Sequence, residues 1–417
     1  MKNYTIWGNK MKKIIMLILI IGFLSISVVS ANNETFSDLQ EDIDNANANS
    51  VIELDNDHVF SNTDSEINIY KPIIINGKNH VLDGNNQSRI MNVMNANITN
   101  VIFKNGNAEN GAAIIADYST ISNCIFINNN GKYNGAIEAR NTIIINCTFI
   151  NNHADTYGGA IYAQDSEIRQ CTFTNNSAEY GGAIDASTSK IYNCNFIRNA
   201  GNTGGAINAV KSTINSSTFS DNNGSSGGAI SSKKCNILNS KFQYNYAEYG
   251  GAIESFNGKI NNCIFDTNVA KEEGGALYSF YSKLTKNKFN GNKAARGGAI
   301  YSIKNTVEKC KFNKKSDTVY PNKADLVKLS LKTVKIKKSA KKLVLKAILK
   351  YNGEFKKGLK VTFKFNKKTY TAKTNKKGIV KVIIKKNILK KLKVGKKVTY
   401  KVLYKGKTVQ KTARVKR

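Results

Sequence analysis

Between residues 98 and 312 the hydrophobic positions stand in fixed columns, following neither a helical period nor simple long-range alternation. Phe occupies positions 103, 126, 149, 173, 196, 219, 242, 265, 289 and 312, and an aliphatic precedes each by five residues, from Ile98 to Val307. A third column is the second glycine of a "GGAI"-type motif, at Gly135, Gly159, Gly182, Gly205, Gly228, Gly251, Gly275 and Gly298, in steps of 23 or 24 residues. A degenerate "GAAI" at 111–114 extends it one step upstream. So many registers with at most one residue of slippage establish an internal repeat.

The unit is rich in β-branched residues, Phe, Asn and Gly and has no apolar helical period. Alternation holds across "C-x-F" and breaks between Ile168 and Cys171, which places a bend there. "GGAIxA" reads as another short strand, separated from the Phe by an Asn-rich turn. Three short strands and three turns per unit predict a right-handed parallel β-helix over 67–320, with ten or eleven coils in a rod of roughly 50 Å. A β-propeller blade needs about twice the length. Residues 32–66 are expected to cap the rod, with a short helix in "TFSDLQEDIDNANA" that places Phe36, Leu39 and Ile43 on one face and pairs Ser37 with Gln40 in a capping box. Tyr70–Asn86 is expected to form the first strand-rich turn.

The remaining columns bear on chemistry. Six of seven cysteines lie two residues before a Phe (Cys124, Cys147, Cys171, Cys194, Cys263, Cys310), and Cys235 lies off that column. Side chains in such a column run parallel and do not converge on a metal. Buried thiols are therefore expected, with disulfides between coils as the alternative. The Asn of "F-x-x-N", from Asn129 to Asn292, is expected to form a ladder of amides. After "GGAI" stand Glu138, Tyr162, Asp185, Asn208, Ser231, Glu254, Tyr278 and Tyr301, pointing outward if the Ile points in. Tyr133, Tyr157, Tyr180 and Tyr249 share the place two before the second glycine. Together Tyr133, Glu138, Tyr157, Tyr162, Tyr180, Asp185, Tyr249, Glu254, Tyr278 and Tyr301 are the candidate ligand surface, on which sugars could stack; packing of turns between coils is the plainer reading.

Glu138 and Asp185, two coils apart at ~9.6 Å, overlap the upper range of an inverting glycosidase pair. Yet no insertion exists to build cleft walls, and His58, His80 and His153 form no constellation. No catalytic residue, cofactor or metal is therefore expected. "GGA" also lacks the strand–glycine–helix context and the Lys–Ser/Thr of a phosphate loop.

Charge divides the chain. The net charge is +34, and residues 328–417 hold 33 Lys+Arg against one acid, Glu354, leaving +2 for the rest. There the repeat gives way to strands alternating apolar residues with Lys or Thr, with turns at Asn352–Gly353 and Asn375–Gly378, which predicts an antiparallel β-sandwich. Lysines act as diffuse point charges, so this domain is expected to meet an anionic polymer or surface. At the other end, "MKK" at 11–13, an apolar run at 14–29 and "VSA" at 29–31 read as a signal peptide over 1–31, with Met11 as an alternative start and an uncleaved anchor as the alternative to cleavage. An exported chain meets no cytoplasmic nucleic acid and keeps no transmembrane segment after cleavage; it is expected to be a monomer.

With these residues in view, "F-x-x-N … G-G-A-I" over about 103–312 resembles the polymorphic outer-membrane protein (Pmp) repeat of bacterial adhesins, and the β-helical region of methanogen adhesin-like proteins. "NGEFKKGLKVTFKFNKKTYTAKTNKKGIVKV" is similar to the bacterial Ig-like repeats that accompany such regions. The resemblance implies an all-β chain: a pectin-lyase-like right-handed solenoid followed by an Ig-like sandwich. It implies an extracellular or wall-associated adhesin that contacts polysaccharide or another cell's surface. Extracellular β-helices also include polysaccharide lyases and hydrolases, the enzymatic alternative; a purely structural envelope component is the third. Bacterial autotransporter members end in a membrane barrel, whereas this sequence ends in a Lys-rich β domain, so that mode of anchoring is not expected to carry over.

Overall fold

The computed structural model describes residues 34–320, 327–351, 355–405 and 407–417. The signal segment 1–31 and the turn at Asn352–Gly353 lie outside the described residues. Three parallel sheets of twelve strands each run the length of the rod, and a fourth, of eight strands, accompanies them. At one coil per ~4.8 Å, twelve strands span about 53 Å. Parallel stacking begins at Val51, which pairs with Ile74, inside the segment expected to be only a cap. Repeat counting missed these first coils because they carry neither "F-x-x-N" nor "GGAI".

Each coil has four strands where the fourth sheet is present, not three. The segment expected as an Asn-rich turn is itself a strand, such as Ser177–Tyr180. Four corners follow, each with one residue in the left-handed region; in one coil these are Gln170, Asn175, Gly181 and Thr188. Asn tolerates that conformation better than most residues, which accounts for its abundance at corners such as Asn123, Asn146 and Asn193.

Inward columns build the core. The ten Phe rings from Phe103 to Phe312 stack with centroids 4.7–5.0 Å apart and nearly parallel planes, the separation being set by the coil rise. Each fully buried ring contributes roughly 2 kcal/mol. The Asn of "F-x-x-N" is buried and forms the expected ladder: each Nδ2 donates to the next coil's Asn Oδ1 at 2.8–3.0 Å and to a Phe carbonyl of the preceding coil. Asp317 ends it, accepting from the Asn292 backbone and side chain and from the backbone of Gly291 and Lys314.

A second polar ladder runs through Ser119, Thr142, Ser166, Ser189 and Ser212, each hydroxyl accepting from the backbone N–H of the coil before. Cys235 belongs to this ladder, its Sγ accepting from Ser212 N. All seven cysteines are buried free thiols. Burial pushes Cys263 up to about 12 and Cys310 up to about 11.

The helix Phe36–Asn45 buries Phe36, Leu39 and Ile43 as the periodicity predicts. Its capping box is Thr35 with Asp38, not Ser37 with Gln40. Ser37 lies already inside the helix and its hydroxyl donates to Asp64 at 2.6 Å, while Gln40 bonds the backbone of Asn68.

The C-terminal domain has two sheets over one core that includes Leu345, Leu349, Val361, Phe363, Tyr400 and Val402. Strands Val327–Leu331, Lys342–Tyr351 and Ile379–Lys385 form one sheet. The other runs Ile336–Lys337, Lys407–Lys416, Lys397–Tyr404, Lys360–Phe365, Lys368–Lys373. Pairing is antiparallel except where Ile336–Lys337 joins Val415–Lys416.

Candidate functional site

The glycine pair sets the geometry of the candidate surface. In the coil of Ser177–Tyr180, Gly181 adopts φ +64°, turning the chain from the fourth sheet into strand Ile184–Ser187. A Cβ on Gly182 would lie 2.2 Å from Gly205 O and 2.4 Å from Ala200 O, so only glycine lets these backbones close. The turn brings the residues before the glycines against the outward residues of the neighbouring sheet. Rings and acids from both columns meet across this corner: Tyr157 and Tyr162 at 6.1 Å, Tyr249 and Tyr278 at 5.4 Å, Ser226 Oγ and Glu254 Oε2 at 2.5 Å.

Two ring clusters result. Tyr157 contacts both Tyr162 and Tyr180, the latter at 5.5 Å. Tyr278 contacts Tyr249 and Tyr301, and Tyr301 stacks on Tyr320 at 5.3 Å. Arg296 lies over the Tyr301 and Tyr320 rings and is held by Glu273 at 2.5 Å. Between the clusters the register runs Tyr162, Asp185, Asn208, Ser231, Glu254, Tyr278. Thr203 and Ser226 occupy the facing column there, so the middle of the corner is lined by short polar side chains.

Several predicted residues sit differently than their spacing implies. Tyr133 leaves its column: Asn134 pairs with Tyr157 instead, and Tyr133 is exposed beneath Lys132. Glu138 is 5% exposed, bonded to Asn134 Nδ2 at 2.8 Å and paired with Arg140, so it is not an open acid. Tyr301 is buried to 8% exposure by Arg296 and its ring neighbours. Asp185 differs from Glu138. It accepts from Asn208 Nδ2 at 2.6 Å, and burial pushes its carboxyl up to about 6. Burial, then the nearby Asp185 and Glu138 charges, raises the Tyr162 hydroxyl, and burial pushes Tyr278 up to about 12. Arg296, Glu273 and Tyr320 escaped the sequence reading, although counting back from each glycine pair would have found the first two.

A shallow hollow of about 500 Å³ opens on the fourth sheet, where Ala200, Gly201 and Gly224 leave room beside Asn202, Asn223 and Tyr246. Among the described residues no three His, Cys, Asp or Glu side chains come together as metal ligands. Nor is any described helix long and apolar enough to cross a membrane.

Three stretches of the rod, residues 146–164, 170–187 and 288–303, match the Chlamydia polymorphic membrane protein (Chlamydia_PMP) repeat. No curated protein matches the chain. Among solved structures it is similar to ORF18 of Geobacillus virus E2, at 11% identity over 85% of this chain and 74% of that one, TM-score 0.40. It is also similar to PfbA, a surface adhesin of Streptococcus pneumoniae, at 10% identity over 84% and 98%, TM-score 0.36. A third is the catalytic domain of a GH87 alpha-1,3-glucanase in complex with nigerose, at 11% identity over 72% and 68%, TM-score 0.34. At these scores the likenesses carry no argument about function. What the chain shares with a named family is the repeat itself, a β-helical unit of the polymorphic membrane protein type.

Proposed function

We propose that the chain is an exported, surface-associated β-helical adhesin whose corner between the eight-stranded sheet and the sheet of Ile184–Ser187 binds polysaccharide. The observation that carries this is the pair of tyrosine clusters flanking Asp185, Asn208 and Ser231 in register. Rings offer stacking faces and the polar middle offers hydrogen bonds, the combination that orients a ligand in a site. The Pmp-type repeats support a surface setting. The C-terminal domain, read as Ig-like from its three- and five-stranded sheets, holds an anionic wall polymer or membrane through its 33 Lys+Arg.

Binding of the purified chain to a panel of wall and capsular glycans tests the first part; Tyr162→Ala and Tyr278→Ala are expected to lose it. A chain that binds no glycan overturns it. Washing intact cells in ~1 M salt tests the second, and retention through that wash sinks electrostatic attachment. The competing reading, a polysaccharide-cleaving enzyme, has in its favour Asp185, whose carboxyl burial pushes up to about 6. Glu138, the carboxylate that spacing pairs with Asp185, is occupied by Arg140 and Asn134. Glycan cleavage abolished by Asp185→Asn would reverse the choice.

A further inference from the structure

The C-terminal domain presents unlike faces. On the five-stranded sheet the outward rows carry cations and mostly hydroxyls: Thr399 opposite Thr412, Lys364 opposite Lys401, and Thr362 between Thr371 and Leu403, the one aliphatic among them. On the three-stranded sheet the same alternation carries aliphatics where the first has Thr: Val344 opposite Ile383, Lys346 opposite Lys381, Ile348 opposite Ile379. Rows of one kind recur about 6.8 Å along a strand from rows of the other. Ile383 is 55% exposed, and Val344, Ile348 and Ile379 are half-buried.

The fold does not require those aliphatics, because Thr has high strand propensity and fills most of the equivalent positions on the five-stranded sheet. A hydrated polyanion would be met by the lysine rows alone. Aliphatics set between lysines instead match a surface that is negative at its skin and apolar just beneath, with the lysine stems reaching past the apolar rows to keep their charges in water.

We propose that the three-stranded face of the C-terminal domain docks on an anionic lipid bilayer, Val344 and Ile383 entering the headgroup layer while Lys346 and Lys381 meet lipid phosphates. This rests on the anionic-attachment reading above and chooses a membrane over a wall polymer. The rod's last coil, through Val307 and Glu308, borders the far end of this face at Ser330 and Ile348, so docking is assigned to the Val344–Ile383 end.

The test uses the full chain with phosphatidylcholine vesicles, with and without phosphatidylglycerol, and with soluble polyphosphate. The double variant Val344→Thr/Ile383→Thr is expected to weaken binding to anionic vesicles roughly tenfold and leave polyphosphate binding unchanged, since only the lipid arm uses apolar area. Lys346→Gln/Lys381→Gln should weaken vesicle binding more than Lys364→Gln/Lys401→Gln on the opposite face. Unaltered vesicle binding by the Thr variant, or equal binding to neutral vesicles, overturns the proposal. Polyphosphate binding without vesicle binding overturns docking on lipid and leaves polymer attachment standing; loss of both overturns the two together. Should the Thr variant fail to fold, the two lysine pairs decide the face by themselves.

Discussion

In the rod, the polar side chains that matter most are buried: Asn, Ser and Cys columns whose members bond from coil to coil. In the C-terminal sandwich, polar side chains are mostly lysines and threonines outside the core, and the interior is almost wholly apolar. The rod therefore depends on each coil repeating its neighbour, backbone against backbone. The sandwich depends on one core and tolerates change across its surface. A wrong atom in a coil disturbs the next coil; a wrong atom on the sandwich meets water.

Four predictions sharpen that contrast, from the largest effect down. Gly205→Val places a Cβ about where Gly228 O stands 2.1 Å away, and should destabilise the rod by about 4 kcal/mol or prevent its folding. In the sandwich, Gly395→Ala meets nothing within 4 Å and pays only for φ +83°, about 1 kcal/mol. Urea unfolding of both variants decides; equal losses would break the comparison. Next, Asn222→Ala removes the acceptor of the Asn199 backbone and side-chain N–H groups, which are buried, and should cost about 3 kcal/mol. Thr399→Ala, its exposed counterpart in the sandwich, should change stability by less than about 0.5 kcal/mol.

The third prediction concerns pH. Asp185 is raised to about 6 from 3.8, so the fold favours its protonated form. Its contribution is fully present below about 3.8 and is lost as pH rises through about 6, a difference of about 3 kcal/mol. The wild type minus Asp185→Asn difference in unfolding free energy, followed from pH 4 to 8, should show that slope; a flat difference refutes it. Glu308 runs the other way. Its hydrogen bond to Lys407 lowers it, so that contribution is present above its unfolded value of 4.5 and is lost as pH falls. The fourth and smallest effect joins the two regions: Lys407→Met removes a 2.6 Å pair with Glu308 whose partners are both over a third exposed, and should cost at most about 0.5 kcal/mol in a thermal melt.

Legibility followed the same divide. The rod could be read because identical coils force identical residues into columns, and the Phe, Ile and Asn columns became the stack and ladder their spacing implies. What escaped was whatever recurs without keeping one residue type or lies before the clear motifs: the first coils, the fourth sheet's strands and the place of Cys235. The serine column that receives Cys235 was periodic all along, masked by Ser, Thr, Gly and Asn taking turns in it. At the candidate surface, spacing located the columns but not their burial. Glu138 and Asp185 look alike in sequence; Arg140 and Asn134 hold Glu138, while Asp185 has Asn208. Tyr133 was misplaced because its coil has Asn134 where others have the first glycine, which shifts the pairing by one residue.

The asparagine ladder ends in a carboxylate, and this gives the rod a direction of growth. Every rung donates one way and accepts the other, while Asp317 only accepts. A duplicated coil inserted anywhere between Asn129 and Asn292 would find a donor on one side and an acceptor on the other. The same is true of a deleted one. Length is thus a quantity a lineage can adjust by whole coils through recombination between near-identical repeats, moving whatever the rod presents nearer to or farther from its base while both ends stay as they are.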